Sequence, residues 1–176
     1  MTRLIAILAS LGAILPFSSP LPREGTGEGS PEEGFSLEHK NDTVAMVTLR
    51  TDSTLDRWEL PYPVYRFCTG DVDGDGSIDA MVGVIKSTRY FKEVGRRIFI
   101  FKNYHGLVRP LWMGSKLGGI LEDFRFKDGV VRALERTADG QYVVAEYRWA
   151  HFGMCFERFL AKNVGHEEAM QLFIQD

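Results

Sequence analysis

The sequence predicts an all-β fold: an antiparallel meander of short strands with one candidate helix. Three observations carry that prediction. Runs of β-branched and aromatic residues recur roughly every 8–15 positions, the spacing of short strands in all-β domains. Asp-Gly pairs, which favour tight hairpin turns, stand between two pairs of these runs. The tail His166–Ile174 is the one segment that reads as a helix candidate.

Taken in order, Thr43 to Arg50 is β-branched and apolar, and Asp79 to Lys86 carries Met81, Val82, Val84 and Ile85. Arg97 to Lys102 reads Arg-Ile-Phe-Ile-Phe-Lys, a short buried or half-buried strand. Leu107 to Met113 follows, with Pro110 marking an edge or a bulge. Phe124-Arg125-Phe126 alternates into Asp128-Gly129, a hairpin turn, and Val130 to Arg136 returns from it. Asp139-Gly140 opens a second hairpin into Gln141 to Trp149, and Phe152 to Leu160 completes the set.

The composition fits one packed domain, or at most two small ones. The chain has 176 residues, 44% hydrophobic and 12% aromatic, with a formal net charge of -3. That charge gives no global field favouring nucleic acid, and no nucleic-acid partner is expected. Two cysteines, Cys68 and Cys155, exclude a disulfide-dense mini-protein and a cysteine-rich zinc module. One bridge and two free thiols both remain open.

Residues 1–19 read as a signal peptide: Arg3, an apolar run from Leu4 to Leu15, then Ser18-Ser19. The alternatives are a buried N-terminal helix or an uncleaved anchor. No apolar run reaches the roughly 18 residues of a transmembrane helix. Export to a periplasmic, extracellular or cell-surface location is therefore expected. Residues 20–35 are rich in Gly, Pro and Glu and read as a disordered linker, leaving 36–176 as a single β domain. Asn41-Asp42-Thr43 fits the N-glycosylation sequon.

The segment Asp71-Val72-Asp73-Gly74-Asp75-Gly76-Ser77-Ile78-Asp79 places carboxylates on alternate positions of one short loop. Ca²⁺ takes six to eight oxygen ligands at about 2.3–2.6 Å, and alternate acids converge only if the chain curls tightly. Gly74 and Gly76 permit that curl. Asp71, Asp73, Asp75 and Asp79 are candidate metal ligands, with the Ser77 carbonyl as a fifth, and Ca²⁺ is favoured over Mg²⁺. An EF-hand is excluded, because Val82 stands where its bidentate Glu is required and a strand follows instead of a helix.

The stretch Gly70-Asp71-Val72-Asp73-Gly74-Asp75-Gly76-Ser77-Ile78-Asp79-Ala80-Met81-Val82-Gly83 resembles the FG-GAP or VCBS repeat of integrin-type β-propellers. That resemblance implies a calcium loop between two blade strands, with Asp71, Asp73, Asp75 and Asp79 as side-chain ligands. It also implies propeller-blade-like sheets. A closed propeller needs at least four blades of roughly 40–50 residues, and the chain after the linker has room for about three. Two to three blades, an incomplete propeller or a β-sandwich are the architectures left. Glu122-Asp123 with Asp128-Gly129 is the one trace of a second acidic loop, with Trp112 and Trp149 as blade-like aromatics.

Lys86 to Arg109 interleaves basic and aromatic residues. Arg89, Lys92, Arg96 and Arg97 are candidate ligand-binding residues for an acidic polysaccharide, a phosphate-rich surface or an acidic partner. The alternative is a hairpin with a charged outer and an aromatic inner face. Gly114-Ser115-Lys116-Leu117-Gly118-Gly119 has a phosphate-loop look without the Gly-x-x-x-x-Gly-Lys-Ser/Thr order, so it reads as a flexible loop. No nucleophile elbow and no zincin histidine pair is present, and no catalytic residue is assigned. The function expected is an exported, non-enzymatic, calcium-binding module that recognises a protein or carbohydrate partner. A metal-dependent hydrolase of phosphoesters or glycans is one alternative. The other is an assembly subunit that completes its sheet as a homo-oligomer.

Overall fold

The computed structural model describes residues 32–175 apart from Tyr90 and Ser115. The leader read at 1–19, and the linker as far as residue 31, lie outside the described residues. Eleven strands and one helix follow: β1 (Gly34–Asn41), β2 (Val44–Arg50), β3 (Leu55–Leu60), β4 (Val64–Gly70), β5 (Asp79–Lys86), β6 (Gly95–Tyr104), β7 (Leu107–Met113), β8 (Ile120–Lys127), β9 (Val130–Arg136), β10 (Tyr142–Ala150), β11 (Gly153–Val164) and α1 (His166–Ile174). They form three antiparallel sheets with orders β1-β2-β3, β4-β5-β6-β7 and β11-β10-β9-β8. Every pairing is between chain neighbours, so the predicted all-β meander with a C-terminal helix is the observed fold. The three sheets are separate and do not close into a barrel.

The sequence of β5 and β6 explains how the sheets pack. Both strands are apolar at successive positions, so both of their faces must be covered. Ala80, Val82, Val84, Phe99 and Phe101 point to the first sheet and pack with Val47, Leu49 and Leu60. Met81, Ile98 and Ile100 point the other way, to Phe124, Val131, Ala133 and Ala145 of the third sheet. The second sheet is thus the buried middle layer. The outer face of the third sheet is covered by α1, where Ala169 and Phe173 pack on Leu134 and Val144. Arg132 and Arg125 donate to the carbonyls of Leu172 and Phe173 at 3.0 and 3.1 Å, which answers the helix's C-terminal dipole. The outer face of the first sheet carries Ser36, Thr48 and Arg57 in one cross-strand row and Glu38, Met46 and Glu59 in the next.

The seam between the second and third sheets closes on ion pairs. Arg66 forks onto Asp123, and Arg96 reaches the carbonyl and carboxylate of Glu122. Gly70 lies against the Phe126 ring of β8, and a Cβ there would fall 2.2 Å from it.

Several sequence expectations change. β1 starts at Gly34, inside the stretch read as linker, β1 and β3 were not anticipated as strands, and β4 was implied only by the repeat resemblance, as the strand before the loop. β6 does not present a charged face opposite an aromatic one. Its isoleucines and its phenylalanines are both buried, on opposite faces, and its charges sit at the strand's ends. Glu122 and Asp123 lie within β8 and serve the seam, so they are no second acidic loop. Cys68 and Cys155 are free thiols, the first half-buried and the second exposed.

Candidate metal centre

The acidic loop joins β4 to β5 at one end of the middle sheet. Its shape follows from its own side chains. Asp71 accepts from the amides of Gly74 and Gly76 at 2.8 and 3.0 Å, and Asp75 accepts from the amide of Ser77 at 2.8 Å. Gly74 and Gly76 take φ of 77° and 85°, the left-handed region that glycine enters at little cost. Short Asx turns of this kind curl the chain so that alternate carboxylates converge.

Asp71, Asp73 and Asp79 bring one carboxylate oxygen each to within 4.8 Å of one another, and this cluster could hold a metal ion. Asp79 is fully buried at the start of β5. One of its oxygens accepts from the Val72 amide at 3.0 Å, and the other has no hydrogen-bond partner. Burial pushes its carboxyl up to about 6, with the neighbouring Asp73 and Asp75 adding to the rise and the Val72 amide and Lys102 opposing it. A buried, half-bonded carboxylate beside two more is a costly arrangement that a cation would relieve.

Asp75 is not in this group of three. The second oxygen of Asp75 takes the Lys102 ammonium at 2.8 Å, and Asp73 takes the same ammonium at 2.7 Å. Those bonds hold the Lys102 ammonium well above its ordinary range and lower Asp75. The sequence reading did not give Lys102 a role in the loop. The strand register supplies the missing signal, since Lys102 directly follows Phe101, the partner of Ala80, which places it opposite Asp79.

The four basic candidates have different partners. Arg96 turns to the seam, against Glu122 and over the Tyr65 ring at 5.1 Å. Arg97, on the opposite face of the strand, bonds the Arg96 carbonyl at 2.8 Å and lies 6.0 Å from the Phe91 ring. Lys92 and Arg97 line a cavity of about 420 Å³, and Arg89 is exposed in the β5–β6 connection with partners of its own. Among the described residues, no helix is long and apolar enough to cross a membrane.

No protein-family model, no curated protein and no solved structure matches this chain.

Proposed function

We propose that the protein is an exported, non-enzymatic β module whose loop at Asp71–Asp79 binds Ca²⁺ as a structural ion. The observation that carries this reading is the unbonded, fully buried oxygen of Asp79 beside Asp71 and Asp73. Asp71, Asp73 and Asp79 would supply ligands directly. Asp75 and the Ser77 carbonyl, the two further candidates, would complete an oxygen-rich set suited to Ca²⁺. The resemblance of Gly70–Gly83 to the FG-GAP or VCBS loop agrees with that choice of ion.

The role is structural because the loop ties β4 to β5 at the rim of the middle sheet, whose two faces hold the other layers. An ion that binds only the folded chain stabilises it by mass action. Lys102 already neutralises part of the loop, which weakens the pull on a cation. Affinity in the range of about 10⁻⁴–10⁻³ M, typical of extracellular calcium modules, is what such a site needs after export. A protein or carbohydrate partner would bind on the sheet surface. The polar outer face of the first sheet and the helix over the third favour a binder over a subunit that adds blades at either end.

A thermal melt of the purified full chain, chelated and then supplied with Ca²⁺ or Mg²⁺, tests the reading. Ca²⁺ should raise the melting temperature more than Mg²⁺, and Asp79→Asn should lose that rise. An unchanged melting temperature in the wild-type chain would sink the proposal.

A further inference from the structure

A second buried carboxylate points to a second site, on the third sheet and independent of the ion loop. Glu135, in β9, is 2% exposed. It lies on the inward face of its sheet, where the connection between β7 and β8 passes over β10 and β11. That connection is the glycine-rich stretch with a phosphate-loop look. Its amides do hold an oxyanion, but the anion is the chain's own. Gly119 N donates to Glu135 Oε2 at 2.9 Å, Tyr147 Oη donates to Glu135 Oε1 at 2.9 Å, and Gly118 N donates to Tyr147 Oη at 3.0 Å. The approach is close: a Cβ at 118 would fall 3.0 Å from Tyr147 Oη, and one at 119 would fall 3.0 Å from Glu135 Cβ, so a larger residue would have to push these groups aside.

This group lines a cleft of about 490 Å³, within the range of small-molecule sites. The remaining wall is mostly apolar and aromatic, formed by Leu117, Val143, Met154, Phe156 and Phe159, with Thr137 and Lys116 as its polar members. Phe156 packs on Phe159 with ring centroids 4.5 Å apart and meets Tyr147 edge-on at 6.0 Å. Phe156 and Phe159 are nonetheless 50% and 44% exposed at the mouth.

The donor and acceptor inventory decides what the cleft can recognise. The Tyr147 hydroxyl proton and the amides of Gly118 and Gly119 are all spent within the group. Beside the Lys116 ammonium, whose charge already acts on Glu135, what remains unfilled is acceptor capacity, on the Glu135 carboxylate and on Tyr147 Oη. The aromatic rings add negative π faces, which attract cations. Lys162 Nζ already rests 4.4 Å from the Phe159 ring centroid, so that ring takes an ammonium within this fold.

We propose that this cleft binds an amphiphilic amine, with its ammonium at Glu135 and Tyr147 and its apolar or aromatic body against Phe156 and Phe159. Lys116 is a rim cation and the one feature that would favour an anion, so the test opposes the two charges on one body. Tryptamine and indole-3-propionate share ring and chain length and differ in the sign of the head group. Calorimetric titration of each into the full-length chain should show tryptamine binding more tightly. Glu135→Gln should weaken tryptamine by about tenfold, the loss expected for one charge-assisted bond. Phe159→Ala, at an exposed ring, should weaken both probes through the lost aromatic wall. No binding of tryptamine, equal or tighter binding of indole-3-propionate, or unchanged tryptamine affinity in Glu135→Gln would each overturn the proposal. The cleft and the ion loop share no residue, so either site can fail without the other.

Discussion

Asp79 and Glu135 are both carboxylates buried in sheet interiors, and both are pushed upward mainly by burial. They differ in their partners. Asp79 has one oxygen on a backbone amide, one oxygen on nothing, and two further carboxylates within reach. Glu135 has a donor on each oxygen and no second acid in its group. The first arrangement leaves room for a cation, which could fill its open oxygen. The second is complete as a structural unit and retains only spare acceptor capacity facing a cleft. Burial alone therefore does not mark out a candidate ion site; the unfilled oxygen beside two further carboxylates does.

The largest expected effect would break the comparison outright. At about a hundred times its Kd, Ca²⁺ should stabilise the chain by about 2.7 kcal/mol over the chelated form. Chemical denaturation with and without chelator measures this, and a difference near zero would leave Asp79 and Glu135 as two equivalent buried acids. Next in size is a third carboxylate on the same sheet as Glu135. Glu146 is 4% exposed and accepts from Arg132 at 2.9 Å and Arg158 at 2.6 Å. Burial raises its carboxyl, but the two guanidinium groups outweigh that and hold it below the usual range. Arg132 also donates to the Leu172 carbonyl of α1. Glu146→Ala should cost about 2–3 kcal/mol, the range for losing charged hydrogen bonds at a buried site. A loss under about 0.5 kcal/mol, the size of a surface pair, would show that the arginines rearrange freely.

The acidic loop was legible because all its signal is local: four aspartates and two glycines at fixed spacing within nine residues. The double-sided burial of β5 and β6 was legible in part, since unbroken apolar runs announce strands without saying which face meets which sheet. β1 and β3 were not, because each is half polar. Phe35 and Leu37, and Trp58 and Leu60, alternate with Ser36, Arg57 and Glu59, and such short period-two patterns resemble chance in a charged stretch. The partnership of Gly118 and Gly119 with Glu135 and Tyr147 joins β9, β10 and a loop far from both in sequence. Nothing at any one of these positions signals the others, so only the folded chain brings the group together.

A smaller effect sharpens the contrast between Glu135 and Glu146 through pH. The Glu135 carboxyl is raised, so its contribution to stability is complete below the unfolded value of 4.5 and is lost as pH rises through the folded value. Glu146 is lowered, so its contribution is present above 4.5 and is lost as pH falls through the folded value. Two acids on one sheet should therefore act in opposite directions. Glu135→Gln should gain stability relative to the wild type as pH rises from 4 to 7, because the neutral amide carries no charge to bury. Denaturation midpoints across pH 4 to 8 for the wild-type and variant chains check this. A variant that gains nothing over that range would mean that the ionised carboxylate is held more favourably by Tyr147 and Gly119 than its burial implies.

The smallest effect concerns Lys102, which bonds Asp73 and Asp75 at 2.7 and 2.8 Å while leaving the Asp79 oxygen unfilled. Its ammonium is a built-in counterion for two of the acids and a competitor for any cation that needs them. Lys102→Gln removes the charge and keeps a polar side chain. In chelator, the variant should lose about 0.5 kcal/mol, the size of a partly exposed ion pair, because the carboxylates then repel without relief. In Ca²⁺ titrations the same variant should bind a few times more tightly, since the ion no longer shares Asp73 and Asp75 with an ammonium. The two effects have opposite signs, which separates competition from simple damage to the loop. A variant that binds Ca²⁺ more weakly would show that Lys102 holds Asp73 and Asp75 in the liganding arrangement. The lysine would then be part of the site and not its rival.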